Sequence, residues 1–539
     1  MKSSFSQPKF LLVLIFFLGL IFRIAWINSS PPSLYGDELT IALDANSLLH
    51  TGKDQLGNNF PLTFQMGAGR PAGYVYGSIP FIGIFGTTPL GVRFLSLLSG
   101  LGIIILIFYL CKQFFDDKVA LAAAFVTSVS PWDISLSRGG FEAHFALFLA
   151  LLGVYLFVKA KGKPSFYIFS ALSFGLTLHT YPTYKLSLIF FLPLLLWFEG
   201  MGKSLGSRKY FFAGAVLVLM LGLIAVSQTF IGGSEKRFLG INIFSQDKLK
   251  NAIEQKINLE RKITSLPPNP AKYFHNKPVE YTKVFIENYL QNYSLDFLVI
   301  HGDRNPRHNM VTMGEVFFAE MLLIILGFLT FRHTSRKLFI FLTLWLIIAP
   351  ISTAMIDLPH ALRSSFMLPP LIIFAGVGFA KILNSKRTYL KVGLAAVFIV
   401  QFLFFIQKLY FLAPQEYSNF WSYSAKLASE LAIQNKEKYK YVFLSDNIDS
   451  IEFAYPVYAK IAPSLVIYQN KHKTKLANSD LKKFENVYIG KISAEDIHNL
   501  ASNLNEPILY IGGLTDKLQN FETINGIDGL PGLVISRTH

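Results

Sequence analysis

Apolar and polar residues alternate along the first four hundred positions on the scale of whole segments. Long apolar runs near 9–27, 92–111, 119–135, 143–158, 165–180, 186–200, 210–230, 314–331, 338–355, 364–380 and 390–412 are separated by short polar loops. A helix needs ~20 mostly apolar residues to cross the hydrocarbon of a bilayer. The pattern therefore predicts a polytopic α-helical membrane protein with about 11 transmembrane helices. The runs at 119–135 and 165–180 are the shortest. A Gly-rich apolar stretch at 73–86 is too short to cross and is expected to lie at the interface.

After residue 412 the pattern changes. The run 421–438 reads as an amphipathic helix. Short β-type runs follow at 440–446, 465–469, 486–490, 507–513 and 532–536, with a helical stretch at 494–503. Strands alternating with helices predict a small C-terminal α/β soluble domain. The expected division is a membrane domain over 1–412, with outer loops 28–91 and 231–313, and a second domain over 413–539. Within the second loop, 266–270 is a cluster of helix breakers, and 278–293 has helical spacing and aromatic residues suited to headgroup depth.

Composition supports a membrane chain: 539 residues, 52% hydrophobic and 16% charged, with a net charge of +16. The charge is unevenly placed. One alternate set of loops and span ends carries seventeen Lys and Arg against only Asp116, Asp117 and Glu199. Basic residues in short loops stay on the cytoplasmic side. The N-terminus is thus expected in the cytoplasm, and the loops 28–91 and 231–313 and the C-terminal domain outside, in an integral protein of the cell membrane. The basic charge is a topology signal and not a nucleic-acid footprint. Residues 1–27 resemble a signal peptide without a small-residue cleavage site and read as a retained first helix. The single cysteine, Cys111, excludes an intrachain disulfide and a Cys-based metal site.

The other set of loops carries the chemistry. Asp37 and Glu38 follow a Pro-rich turn after the first run. A carboxylate held there could act as a general base, and acidic residues also favour a helix start, so both readings stand. The loop 130–144 holds Arg138, Glu142 and His144, as reactive groups or as solvated charge beside an interfacial Trp132. The turn 178–186 crowds His179, Tyr181, Tyr184 and Lys185, for substrate or for the headgroup region. In 296–310, His301, Asp303 and His308 could hold a metal, but their spacing matches no ligand motif. In 357–364, His360 and Arg363 are three apart at a helix start, where an arginine and free amides suit a phosphate. The Gly202-Lys203-Ser204 triplet lacks the first glycine of a nucleotide-binding loop, which argues against an ATP-driven pump. Midspan charges of the kind transporters use are scarce.

The segments 35-YGDEL-39, 131-PWDISLSRGGFEAH-144, 178-LHTYPTYKL-186, 301-HGDRNPRH-308 and 359-PHALRS-364 resemble, across roughly 1–412, the GT-C glycosyltransferases. Within that class the similarity is to the family 39 branch of protein O-mannosyltransferases and aminoarabinose transferases. The resemblance implies a GT-C-like membrane fold and sugar transfer, with inversion, from a polyprenyl-phosphate donor to an acceptor hydroxyl of a protein, lipid or envelope glycan at the outer membrane face. It implies Asp37 as base, with Glu38 and Glu142 as further catalytic candidates. It implies Arg363, His360, Lys185 and Arg138 on the donor phosphate, and His144, His179, Tyr181, His301 and Asp303 around the substrate. Lys185 stands where relatives often have Arg. Membrane lipid is an expected partner and nucleic acid is not. No cofactor is expected, a divalent metal being left open. The alternatives are a lipid-linked polysaccharide ligase or polymerase, and a transporter or membrane anchor of the C-terminal domain.

Overall fold

The computed structural model describes residues 7–65, 69–200, 205–230, 242–332, 335–476, 479–492, 497, 506–516 and 521–538. Lys2, Gly67, the 202–204 triplet, residues 231–241 of the second outer loop and all of 494–503 except Ile497 lie outside them. A helix stands at each of the eleven expected positions, from Gln7–Ile24 to Thr388–Gln407. Among the described residues, seven are long and apolar enough to cross a membrane, or eight if one bent pair counts as a span. Phe166–Leu178 and Phe318–Phe331 are apolar but shorter. A count of eleven crossing helices is thus more than length and composition support.

The bent pair corrects the expected span at 119–135. Helix Asp117–Val129 stops, and Pro131–Ser137 continues at 56° to it. Proline has no N–H to give and fits a first helical position, so Pro131 ends one helix and starts the next. The short helix is buried throughout. Elsewhere the bundle relies on small residues. A Cβ on Gly327 would sit 1.9 Å from the Phe374 carbonyl, and one on Gly378 2.0 Å from that of Leu323. Helices Phe318–Phe331 and Leu368–Leu383 touch backbone to backbone there, as membrane helices do where glycines meet.

The two sets of loops gather separately. In the basic set, Lys118 reaches Asn384, Lys161 pairs with Glu199, and Lys337 lies over Trp197 and Phe198. The other set converges on one cavity, described below. The alternation read from the sequence thus matches a physical division of the molecule into two ends.

The C-terminal region forms a seven-stranded sheet. Its strands run in the order 474–476, 479–484, 487–490, 441–445, 508–512, 531–538, 522–525. The middle three are parallel and the flanking ones antiparallel. Parallel strands are covered on both faces, which is why YVFLS and ILYIG read as continuous apolar runs. The expected strand at 465–469 is instead within helix Pro463–Lys471. A short apolar run does not distinguish the two, and Pro463 in the first turn favours the helix.

This sheet domain is not a separate bead. One apolar cluster runs from Leu39, Leu43 and Leu48 of helix Gly36–Thr51 into Val442, Leu444, Tyr455 and Val466. Ser33 donates to the Trp421 carbonyl, Lys426 to that of Pro32, and Tyr458 accepts the Leu34 N–H. The domain thereby grips the loop that carries Asp37. The stretch 73–86 forms helix Gly73–Phe85, which packs between Gly36–Thr51 and Pro89–Cys111.

Candidate active site

The cavity lies where five polar loops meet. It has a volume of about 350 Å³ and is lined by Asp37, Arg70, Glu142, Tyr181, Arg307, His308, His360 and Arg363, among others. These residues come from every outer-set segment between the first helix and residue 363. Convergence of loops so far apart in sequence, on a scaffold of packed helices, is what a substrate site requires.

Its acidic part is built on the helix Gly36–Thr51. Asp37 occupies the first turn, but Tyr35 is the capping residue and no side chain caps the helix. The Asp37 carboxylate is instead directed to Arg70 at 3.0 Å, and the same guanidinium holds Glu142 at 2.6 Å. Arg70 also donates to the Asp37 carbonyl. Burial works against the Arg70 charge, and Glu142 and Asp37 outweigh it, so that its pKa is raised and it stays cationic. One buried cation thus sets the spacing of two carboxylates. Asp37 remains 37% exposed and accessible from the cavity. Tyr35 lies beneath; burial, then the charge of Asp37, pushes its phenol well up, so it stays neutral.

The basic part comes from the last two outer loops. Arg307 lies over the Tyr35 ring and donates to the Phe420 carbonyl. Arg363 and His360 come from a helix of only four residues, Ala361–Ser364, capped by His360 itself through the Leu362 N–H. So short a helix adds little dipole, and the arginines carry the positive charge. Asp303 sits behind His308 and His360. Burial works to raise its carboxyl, but the hydrogen bond from His308 and the nearby His360 and His308 hold it down at about 2.

The other expected site residues lie elsewhere. Glu38 is fully buried and bidentate to Arg93 at 2.8 and 2.9 Å, and accepts the Gly140 N–H. Arg138 is buried under the Tyr410 ring and donates to the carbonyls of Phe22, Arg23 and Ser30. His144 is buried between Asp133 and the Ser96 carbonyl, and Asp133 also pairs with Arg23. These groups brace the bent span and the start of the first outer loop. His179 meets the Leu221 carbonyl, and Lys185 donates to that of Ala225, both toward the helix Leu205–Phe230. His301 is exposed and paired with Asp296 at 2.5 Å.

Two charged residues of the cavity, Arg70 and Arg307, were not singled out in the sequence. Arg307 stands inside the 301–308 segment, whose density of charge was visible. Arg70 had no local signal: it is one arginine in a loop of glycines and prolines, and only the fold brings it to Asp37.

Residues 78–226 match the family model of the dolichyl-phosphate-mannose-protein mannosyltransferases. That match covers a little over a quarter of the chain. Among solved structures, the chain is similar to ArnT from Cupriavidus metallidurans in the apo state, with a TM-score of 0.52 and 10% identity over 98% of this chain and 97% of that one. The same protein bound to undecaprenyl phosphate gives 0.51 and 11%, with the same coverage. The apo oligosaccharyltransferase of Archaeoglobus fulgidus gives 0.50 and 12%, over 95% of this chain and 70% of that one. These likenesses are of fold. No curated protein matches the chain in sequence. The matched stretch includes Glu142 and Tyr181. Asp37, Arg70, Arg307, His308, His360 and Arg363 fall outside it and are assigned to the cavity by the structure alone.

Proposed function

We propose that the chain is a membrane glycosyltransferase that moves a sugar from a polyprenyl-phosphate carrier to an acceptor hydroxyl at the outer membrane face. The observation that carries this reading is the composition of the cavity. Two carboxylates braced by Arg70 share one pocket with Arg307 and Arg363, on a GT-C fold. Asp37 takes the proton of the acceptor hydroxyl, whose oxygen attacks the anomeric carbon as the bond to the phosphate oxygen breaks, inverting the centre. The two arginines hold the departing phosphate, where charge develops. Glu142 and Tyr181 line the space left for the sugar and acceptor. Arg70, itself part of the cavity wall, holds the Asp37 carboxylate in place beside Glu142. Undecaprenyl phosphate, bound in one of the ArnT structures, is a lipid carrier of the proposed class.

The test is transfer of label from radiolabelled polyprenyl-phosphate sugars in membranes, wild type against Asp37→Asn at equal expression. Transfer by the wild type is expected, reduced ~10²-fold or more in the variant, the usual loss of a general base. Full activity in Asp37→Asn would remove it as the base and leave Glu142. Absence of wild-type transfer from every donor, beside an active control enzyme, would overturn the reading.

A further inference from the structure

We infer that the sheet domain carries a second ligand site, a crevice for an uncharged saccharide, at the carboxyl ends of strands Tyr441–Ser445 and Val487–Gly490. These strands are parallel neighbours, with Ser445 opposite Gly490. The chain leaves them toward opposite faces of the sheet. After the first, Ile451, Ala454 and Tyr455 of helix Ile451–Tyr458 pack with Val442 and Leu444. After the second, Ile492 and Ile497 pack with Phe443 and Tyr488, whose side chains alternate with Val442 and Leu444 and so lie on the other face. Where connections part in this way the strand ends are left open, and open α/β sheets bind their ligands there. A crevice of about 250 Å³ occupies that place. None of its lining residues lines the catalytic cavity.

The chemistry of the walls selects the ligand. Asp446, Glu452 and Asp480 stand against Lys473, Lys482 and Lys491. Equal numbers of carboxylates and ammonium groups leave no net charge, so neither an anion nor a cation is drawn in by the field of the rim. The rim is instead a ring of strong acceptors and strong donors, set around the apolar side chains of Ile448, Ile451 and Ile489. Sugar hydroxyls both donate and accept, and a sugar ring has an apolar C–H face, so the match is to a saccharide. The volume falls below the ~300–1,000 Å³ of sites for drug-sized ligands, which suits a single sugar ring. Lys482 is fixed in place by Glu452 at 2.8 Å. Asp446, Lys473, Asp480 and Lys491 are exposed and accessible to a ligand.

Loop 446–450 separates this crevice from the catalytic cavity. Asp446, Ile448 and Ser450 line the crevice. Asp449 accepts from Ser422 at 2.7 Å and lies 3.8 Å from Arg307, which lines the catalytic cavity. Ser450 Oγ lies 2.8 Å from where a Cβ on Gly36 would stand, one residue before Asp37. A ligand that orders this loop therefore bears on the placement of Arg307 and Asp37. Resting on the transferase reading, the saccharide is a sugar unit of a glycan already on the acceptor, or a free sugar that adjusts the rate.

The experiment uses the full chain in nanodiscs and saturation-transfer NMR with mannose, glucose, galactose and N-acetylglucosamine. Contact with at least one is expected. Its affinity is expected to fall at least ~10-fold in Asp446→Ala and in Lys491→Ala, as loss of one hydrogen bond to a charged group does, and to hold in Asp37→Asn. No contact with any of the four sugars, or equal binding in wild type and both crevice variants, would overturn the site. Should the variants fail to fold, the wild type decides. Acylation of Lys473 and Lys491 by an amine reagent, followed by mass spectrometry, is expected to slow when the sugar is bound, and unchanged rates overturn the site. Transfer assays then separate the sources. A free sugar that changes kcat for a sugar-free acceptor is an effector. One that raises KM only for an acceptor already bearing a glycan competes with that glycan. No change in either overturns the coupling through 446–450. Binding and acylation do not use transfer, so failure of the site and failure of the transferase reading are separate outcomes.

Discussion

Adjacent carboxylates at the end of the first outer turn do different work. Asp37 is directed into the cavity, whereas Glu38 is buried against Arg93. Breaking a buried ion pair by neutralising one partner leaves a desolvated charge and costs roughly 3–5 kcal/mol. Glu38→Gln is therefore expected to lower the melting temperature of the purified protein by several degrees, with any loss of transfer following loss of fold. Asp37→Asn, at a partly exposed position, is expected to lose transfer with a much smaller thermal change. Melting curves of the two variants side by side check this. The reversed pattern would exchange their roles.

At the scale of elements, the helix Gly36–Thr51 joins the membrane bundle to the sheet domain. It carries the proposed base Asp37, the bracing Glu38 and a set of apolar residues on one short rod, and almost all of its middle is buried. One polar group on it is unusual. Asp44 is buried, with the Gln55 N–H bonded to its carboxylate at 3.1 Å. Burial, the leading cause, pushes its pKa up to about 7, against a usual value of 3.8. The folded state therefore holds a proton that the unfolded chain releases above pH ~4. Stability from this group is full below the unfolded value, declines as pH rises through the window, and is lost above pH ~7. Asp44→Asn mimics the protonated form and keeps the acceptor for Gln55. It is expected to raise the melting temperature above pH 7, by an amount equivalent to roughly 1–4 kcal/mol, the gain vanishing toward pH 4. A gain that does not depend on pH would show that Asp44 is not the titrating group.

The whole molecule has two chemically distinct ends, and the proposed orientation puts the cavity and the sheet domain outside. Its single cysteine, Cys111, is buried, so introduced cysteines can be read against a quiet background. Lys438, exposed on the sheet domain, and Lys386, exposed among the basic loops, mark the two ends. With a membrane-impermeant maleimide, Lys438→Cys is expected to react in intact cells and Lys386→Cys only after permeabilisation. The opposite result would place the cavity in the cytoplasm and end the outer-face proposal.

Much of this architecture follows from the chain alone, since transfer of apolar segments from water is strong and local. The positions of the helices, the two-sided loop pattern, the apolar β runs and the polar loops that meet in the cavity are all carried by short stretches of sequence. Asp37, Glu142, Tyr181, His360 and Arg363 were legible because each stands out against a short loop between apolar runs. What the chain could not show is which buried charges would meet. Whether Glu38 faces Arg93 or the cavity, whether Arg70 reaches Asp37 from 33 positions away, and whether His301 or His360 joins Asp303 depend on contacts between segments distant in sequence. The bend at Pro131 and the fusion of the sheet domain to the first outer helix are of the same kind. Local preference permits several arrangements there, and packing together with the cost of leaving a buried charge unpaired selects one.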